Sequence, residues 1–396
     1  MEHLPFDFSG LAFLASSFIL NGCVMTKKEA FLAAVRGEQP DVVPVTPLIH
    51  ARFAHKMLGR SDWKAIFEVH QMIGSCCHRG PLAIDIPVTL PDGYAYEMGE
   101  DRPRAGGGAE YDVIVRTPAR TMTGKGVYGM IPNDPLVGKV IEYPVKDRDD
   151  WLNYKDLLEK HIEGAGKPDF STVDDALAAM GDDGVAGVGM NCAYGILGNS
   201  RSMQGLMLDL FDQPDLMAEL FALERERLAQ HVDAFCASRA EVGWLDVCWA
   251  TGSQLSPAWF EKWVLPDIVL MMAKVRQTPG KYAGLYTLGP IREYLPMLAD
   301  SGVHFVETFE PNQGNITLRE AKKLYGDKMC IMGNFDCVVL AFGSIDDARR
   351  ETRRCLKEGM AGGGYVLATA DEVPANARLD NLKAMVQTVQ EFGRYN

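Results

Sequence analysis

Eight short apolar runs, separated by stretches long enough to be helices, leave this chain few architectures to choose from. The runs begin at Val42 (VVPVTPLI), Leu82 (LAIDIPVTL), Val185 (VAGVGMNC), Trp244 (WLDVCW), Tyr282 (YAGLYTLG), His304 (HFVETFEP), Met329 (MCIMGNFD) and Tyr365 (YVLA). Each is bounded by Gly, Pro or acids and is too short for a buried helix, so each reads as a buried strand. The stretches between them carry helix marks. Phe221, Leu228, Val232 and Phe235 share one stripe, Ser256 caps a helix that Pro257 opens, and Gly326 and Gly359 end two others. Buried strands alternating with helices predict an α/β fold, a (β/α)8 TIM-type barrel. A doubly wound open sheet is the competing arrangement, but no GxGxxG follows the first run.

The rhythm breaks at about 92–145, where YDVIVRT, Gly-rich turns and GKVIEYPV predict a β-rich insertion after strand two. Residues 1–24 are expected to be a non-native or disordered extension. The apolar stretch Leu11–Val24 has no Lys or Arg before it and is too short to span a bilayer, whereas Thr26 and Glu29 form a capping box that starts a helix. Residues 25–396 then form one domain. The net charge of −13 argues against nucleic acid as a partner, and no run is apolar and long enough for a membrane span. Nine cysteines without a CxxC pair fit reduced thiols in a cytoplasm.

In a barrel of this type the chemistry sits at the C-terminal strand ends. Here those ends deliver His50 and Arg52, Asp85, Asn191, Cys248 and Trp249, Tyr286, Glu307 and Glu310, Asn334 and Asp336, and finally Asp371 and Glu372. Carboxylates gathered in one cleft repel each other, so one of them should have a raised pKa, bind a cation or pair with Arg. That set fits proton transfer. Asp336 and Asp371 could instead cap the helices that follow, and Glu310 could be solvated. Asp85, flanked by Ile84 and Ile86, does not read as a surface residue. His55, His70 and His78 fall outside strand ends and read as surface or packing groups. No HExxH, Cys/His quartet, P-loop or GxSxG is present.

The stretches TKKEAFLAAVRGEQPDVVPV, IEYPVKDRDDWLNYK, GSQLSPAWFEKWVLPDI, MGNFD and GGGYVLATADEVPANARLDNLKAMV resemble the uroporphyrinogen decarboxylase-like superfamily over most of 25–396. The resemblance implies a (β/α)8 barrel and one of two chemistries: cofactor-free decarboxylation of uroporphyrinogen, or methyl transfer involving a corrinoid protein, with zinc in some members. Asp85 matches the aspartate that holds pyrrole nitrogens in true decarboxylases. The Arg-rich run near strand one is reduced here to LIHARFAHK, which keeps only Arg52, and ATADEVP lacks the decarboxylase histidine. In the zinc methyltransferases the ligands are His and Cys at strand five and Cys at strand eight, where this chain has Tyr286, Leu288 and Asp371. Those three residues cannot build a thiolate-rich zinc site, so no metal is assigned, although Asp371, Tyr286 and Glu310 could hold a harder cation.

The resemblance thus points to a methyltransferase that takes a methyl group from a small donor such as a methoxyaromatic and gives it to a corrinoid carried by a partner protein, with no tightly bound cofactor of its own. Asp85, Tyr286, Asp371 and Glu310 are the expected catalytic groups. His50, Arg52, Asn191, Trp249, Glu307, Asn334, Asp336 and Glu372 are expected to bind substrate. Homodimerisation is compatible with the family. Two other readings compete: a lyase acting on a small carboxylic acid, for which Arg52 and Arg201 are the visible anion binders, and a barrel that binds without catalysis.

Overall fold

A computed structural model describes residues 25–78, 82–131 and 134–395, so the expected extension at 1–24 lies outside the described residues. Among the described residues, eleven strands are present. An antiparallel sheet contains β1 (Ala95–Met98), β2 (Arg102–Pro103), β3 (Ala109–Arg116), β4 (Thr121–Tyr128) and β5 (Gly138–Glu142). A parallel sheet contains β6 (Gly187–Asn191), β7 (Val242–Asp246), β8 (Tyr282–Tyr286), β9 (Phe305–Phe309), β10 (Cys330–Phe335) and β11 (Tyr365–Thr369), adjacent in sequence order. Helices connect the parallel strands, the longest being Pro214–Ala237 between β6 and β7. Buried Ile, Leu, Val and Phe from both layers fill the space between them.

The six later apolar runs form these parallel strands; the first two do not form regular ones. Prolines are the reason. Pro44 and Pro47 interrupt the first run and Pro87 the second, and each removes a ladder donor. Both segments still touch the sheet edges. Leu367 N donates to Pro44 O at 2.9 Å and Thr46 N to Leu367 O at 2.9 Å, while Gly189 N donates to Leu82 O at 3.0 Å. Cys76 N donates to Val45 O at 2.9 Å, which links the first run to the approach of the second. Beyond Ile84 the second run leaves the parallel sheet and pairs antiparallel with Gly164–Asp169: Asp169 N reaches Asp85 O at 2.8 Å and Gly166 N reaches Pro87 O at 2.7 Å.

Interior space is set by glycine where large rings cross. A Cβ at Gly189 would lie 2.5 Å from the Trp244 ring of the neighbouring strand, and one at Gly284 would lie 2.3 Å from the Phe305 ring. Gly189→Ala is therefore expected to overpack the sheet and destabilise it by about 1–3 kcal/mol, read as a lower urea midpoint at unchanged m-value. Among the described residues, no helix is long and apolar enough to cross a membrane.

Candidate functional site

The strand ends bring together residues distant in sequence. Tyr286, at the end of β8, donates its hydroxyl to Asp371 Oδ1 at 2.9 Å, just past the end of β11. The same oxygen accepts Glu372 N at 2.7 Å. Burial pushes the Asp371 carboxyl above the ordinary carboxylate range, and the Glu372 amide and the Tyr286 hydroxyl pull it part of the way back. A carboxyl group with a raised pKa thus sits against a phenol.

A second cluster adjoins this pair. Arg52 donates from Nη2 and Nε to Glu372 Oε2 at 2.9 and 3.2 Å and from Nη1 to Asp134 Oδ2 at 3.1 Å. His50 Nδ1 lies 3.7 Å from Glu372 Oε1. The guanidinium thus bridges the loop after β11 to Asp134 and is largely occupied by protein carboxylates. Glu310 belongs to the same rim: its charge, with those of Asp371 and Asp336, acts on the Cys337 thiol, while its Oε2 accepts Asn312 N at 3.1 Å and Gln313 N at 3.0 Å.

One strand over from Tyr286 opens a cavity of about 510 Å³. Asp246, in register with Tyr286 on the adjoining strand, lines it together with Asn191 and Trp249, whereas Tyr286 and Asp371 are not on its wall. Trp249 is exposed, and the Trp244 ring meets the Tyr286 ring edge-on at 6.2 Å. The wall is completed by Tyr96 of β1, by Tyr154 and His161 of the helix Arg148–Glu163, and by Glu224 and Arg227 of Pro214–Ala237, among others.

Several expected site residues lie elsewhere. Asp85 is exposed, because its strand has already turned to pair with Asp169; its charge acts on His231, and no described contact joins it to Tyr286 or Asp371. Glu307 is 1% exposed and is part of the floor rather than a substrate contact; its Oε2 lies 3.2 Å from His78 Nε2, and His78 Nδ1 lies 2.5 Å from Thr46 Oγ1. His78, expected as a surface or packing group, is thus a buried polar partner, and His70 is buried too, bonded to Ser75 Oγ at 2.7 Å. Asn334 is held by Arg354 of the outer helix, whose Nη2 lies 3.0 Å from Asn334 Oδ1. Asp336 caps the helix Cys337–Phe342 through Val338 N at 2.8 Å. Arg201 is held by Asp209, with Nε 2.8 Å from Oδ2.

Arg227, Glu224, Tyr154 and Asp246 were not singled out in the sequence. Glu224 and Arg227, three apart on a long helix, look like an ordinary surface ion pair there. Among the described residues, no group of three or more His, Cys, Asp or Glu side chains is arranged to hold a metal ion.

Comparison with known proteins fits this geometry. The uroporphyrinogen decarboxylase (URO-D) family model matches residues 184–392. Uroporphyrinogen decarboxylase of Streptomyces avermitilis is 26% identical over 270 residues, covering 64% of this chain and 70% of that protein. The same enzyme of Trichodesmium erythraeum is 24% identical over 201 residues, covering 50% of this chain and 54% of that protein, so the match spans about half of that relative. A methyltransferase from Methanosarcina mazei shares the fold, with a TM-score of 0.61 and 18% identity over 93% of this chain and 99% of that one. The match covers the six parallel strands and both residues of the Tyr286–Asp371 pair, and the chain belongs to the uroporphyrinogen decarboxylase family.

Proposed function

We propose that this chain is a methyltransferase that removes a methyl group from a small donor, a methoxyaromatic, and passes it to a corrinoid carried by a partner protein. The observation that carries the reading is the Tyr286–Asp371 pair: a carboxyl group raised by burial touches a phenol, and Asp246, in register with that phenol on the next strand, lines a cavity large enough for a ring. Supporting the architecture behind it, the hydrogen bonds from Leu367 to Pro44, Cys76 to Val45 and Gly189 to Leu82 run from one edge of the parallel sheet to the other, as a closed (β/α)8 barrel requires.

The zinc-dependent version of this chemistry does not fit. A phenol, a leucine and a carboxylate (Tyr286, Leu288 and Asp371) stand where a thiolate-rich set would be needed. Decarboxylation of uroporphyrinogen also fits poorly, since Arg52 is already engaged by Glu372 and Asp134 and a substrate with many carboxylates needs free cations.

A reduced corrinoid docked at the mouth supplies the nucleophile that takes the methyl group. The chain's own residues handle the leaving group. As the methyl carbon–oxygen bond breaks, the electron pair stays on the ring oxygen and Asp371 gives that oxygen its proton, leaving a free phenol. Tyr286 holds Asp371 in position, and Asp246 and Trp249 flank the ring. A positioned acid of this kind contributes ~10²–10⁴-fold. Val338 and Phe342, exposed on the helix that follows β10, leave apolar surface beside the mouth for a docking protein.

The test is direct. The purified chain, mixed with a reduced corrinoid protein and a panel of methoxyaromatics, should release the free phenol; failure with every donor would remove the reading. Tyr286→Phe provides a check on the acid. It deletes a hydrogen bond that favours ionised Asp371, so the high-pH limb of the rate profile should move to higher pH, while the rate at the optimum falls about 10–100-fold with the lost contact.

A further inference from the structure

The cavity wall carries a charge that the Tyr286–Asp371 chemistry does not use. Arg227 donates from Nε to Glu224 Oε2 at 2.8 Å, and its Nη2 lies 2.7 Å from the same oxygen. Glu224 is 1% exposed, and its other oxygen accepts the Tyr154 hydroxyl at 3.2 Å. The carboxylate is therefore fully used in holding the guanidinium and the phenol. A guanidinium has five N–H donors. Two are spent on Glu224, and no other hydrogen bond from Arg227 is found among the described residues. Arg227 is also the only Lys or Arg on the cavity wall among the described residues.

The surroundings favour one kind of occupant. Leu157, Leu158 and Leu90 supply apolar wall, and the Tyr154 and Trp249 rings supply flat surface. His161, also on the wall, is held neutral because burial, followed by the Arg227 charge, pushes its pKa down; its Nδ1 has no hydrogen-bond partner among the described residues. Asp246 and a guanidinium preorganised by Glu224 both lie on this wall. A neutral ligand would give the remaining N–H donors no anionic acceptor, and an ammonium beside them would face Arg227.

We propose that this cavity binds a flat, largely apolar ligand that ends in a carboxylate, with Arg227 taking the carboxylate and Glu224 holding Arg227 in place. The binding itself does not depend on the methyl-transfer reading; identifying the ligand as the methyl donor does rest on that reading and narrows the donor to an arylcarboxylate ether. Arg–carboxylate recognition is planar and bidentate, so it would also fix the orientation of the ring in the cavity.

Three ligands of matching size test this on the purified full chain, with no partner protein present: 4-methoxybenzoate, 4-methoxybenzamide and, as the cation, 4-methoxybenzylammonium, titrated calorimetrically. The carboxylate should bind about 30-fold or more tightly than the amide, and the ammonium should not bind measurably. Arg227→Gln should bring the carboxylate down to the level of the amide. That variant leaves Glu224 buried without its cation, so the paired change Glu224→Gln with Arg227→Gln, which keeps a hydrogen-bonded neutral pair, gives the same readout if the single one fails to fold. Equal binding of amide and carboxylate, preference for the ammonium, or no binding by any of the three would each overturn the proposal. If the carboxylate binds through Arg227 but no donor is demethylated when a reduced corrinoid protein is added, the methyl-transfer reading fails and this one stands. If uncharged donors are demethylated without regard to Arg227, the reverse holds.

Discussion

Asp371→Asn should lower methyl transfer by ~10²–10⁴-fold without weakening the fold. The amide keeps the shape of the carboxyl group and can still accept the Tyr286 hydroxyl, but it has no proton to give. The stability effect has a definite sign. Burial raises the folded pKa of Asp371 above its unfolded value. Its contribution to stability is therefore complete below the ordinary carboxylate pKa and is lost as pH rises through the raised folded value. The amide does not ionise and escapes that loss. Melting curves of the two proteins should nearly coincide below the ordinary carboxylate pKa and separate in favour of the variant as pH rises through the raised value. A variant that loses activity together with stability would mean that Asp371 is chiefly a structural group.

His78→Leu is expected to cost about 3–5 kcal/mol, the largest stability effect anticipated for a single substitution here. His78 and Glu307 are each 1% exposed and lie 3.2 Å apart. Glu307 is in register with Tyr286, so the pair forms the polar floor beneath the proposed acid. Taking away the imidazole removes the nitrogen that faces a buried carboxylate and also the Thr46 contact. Chemical denaturation should show the full loss. The double change His78→Leu with Glu307→Leu should recover much of it, because replacing a whole buried pair by apolar side chains is often close to neutral. If the single variant costs under about 1 kcal/mol, the pair contributes little to holding the floor together.

The later part of the architecture could be read from the chain because its apolar runs are uninterrupted. Six of them became β6 to β11, where Val, Ile, Leu and Phe are buried and no proline breaks the ladder. The first two runs were legible as buried segments but not as irregular ones; their prolines, plainly visible, were outweighed by the apolar pattern. That irregularity explains Asp85, whose place depends on where the second run leaves the sheet to meet Asp169, a pairing that no local pattern encodes.

The site was legible in proportion to how directly a strand end fixes a side chain. Tyr286 and Asp371 end or just follow β8 and β11 and do meet, and Glu310 shares their rim. Asn334 and Asp336 also close a strand, yet one is held by Arg354 and the other caps a helix, because an end position fixes location and not direction. Arg227 was hidden for another reason. Its pair with Glu224 has the spacing of a solvated helix contact, and only packing against the helix Arg148–Glu163 and strand β1 turns that face into a cavity wall. Arg52 and Arg201, the arginines that stood out in the sequence, are occupied by Glu372, Asp134 and Asp209.

The most direct measurement follows the products of one reaction mixture: the purified chain, a reduced corrinoid protein, and either 4-methoxybenzoate or uroporphyrinogen. The account predicts the free phenol from the ether, formed at a rate that falls as pH rises through the Asp371 pKa, and no carbon dioxide from uroporphyrinogen. Carbon dioxide release with the ether left intact would contradict it.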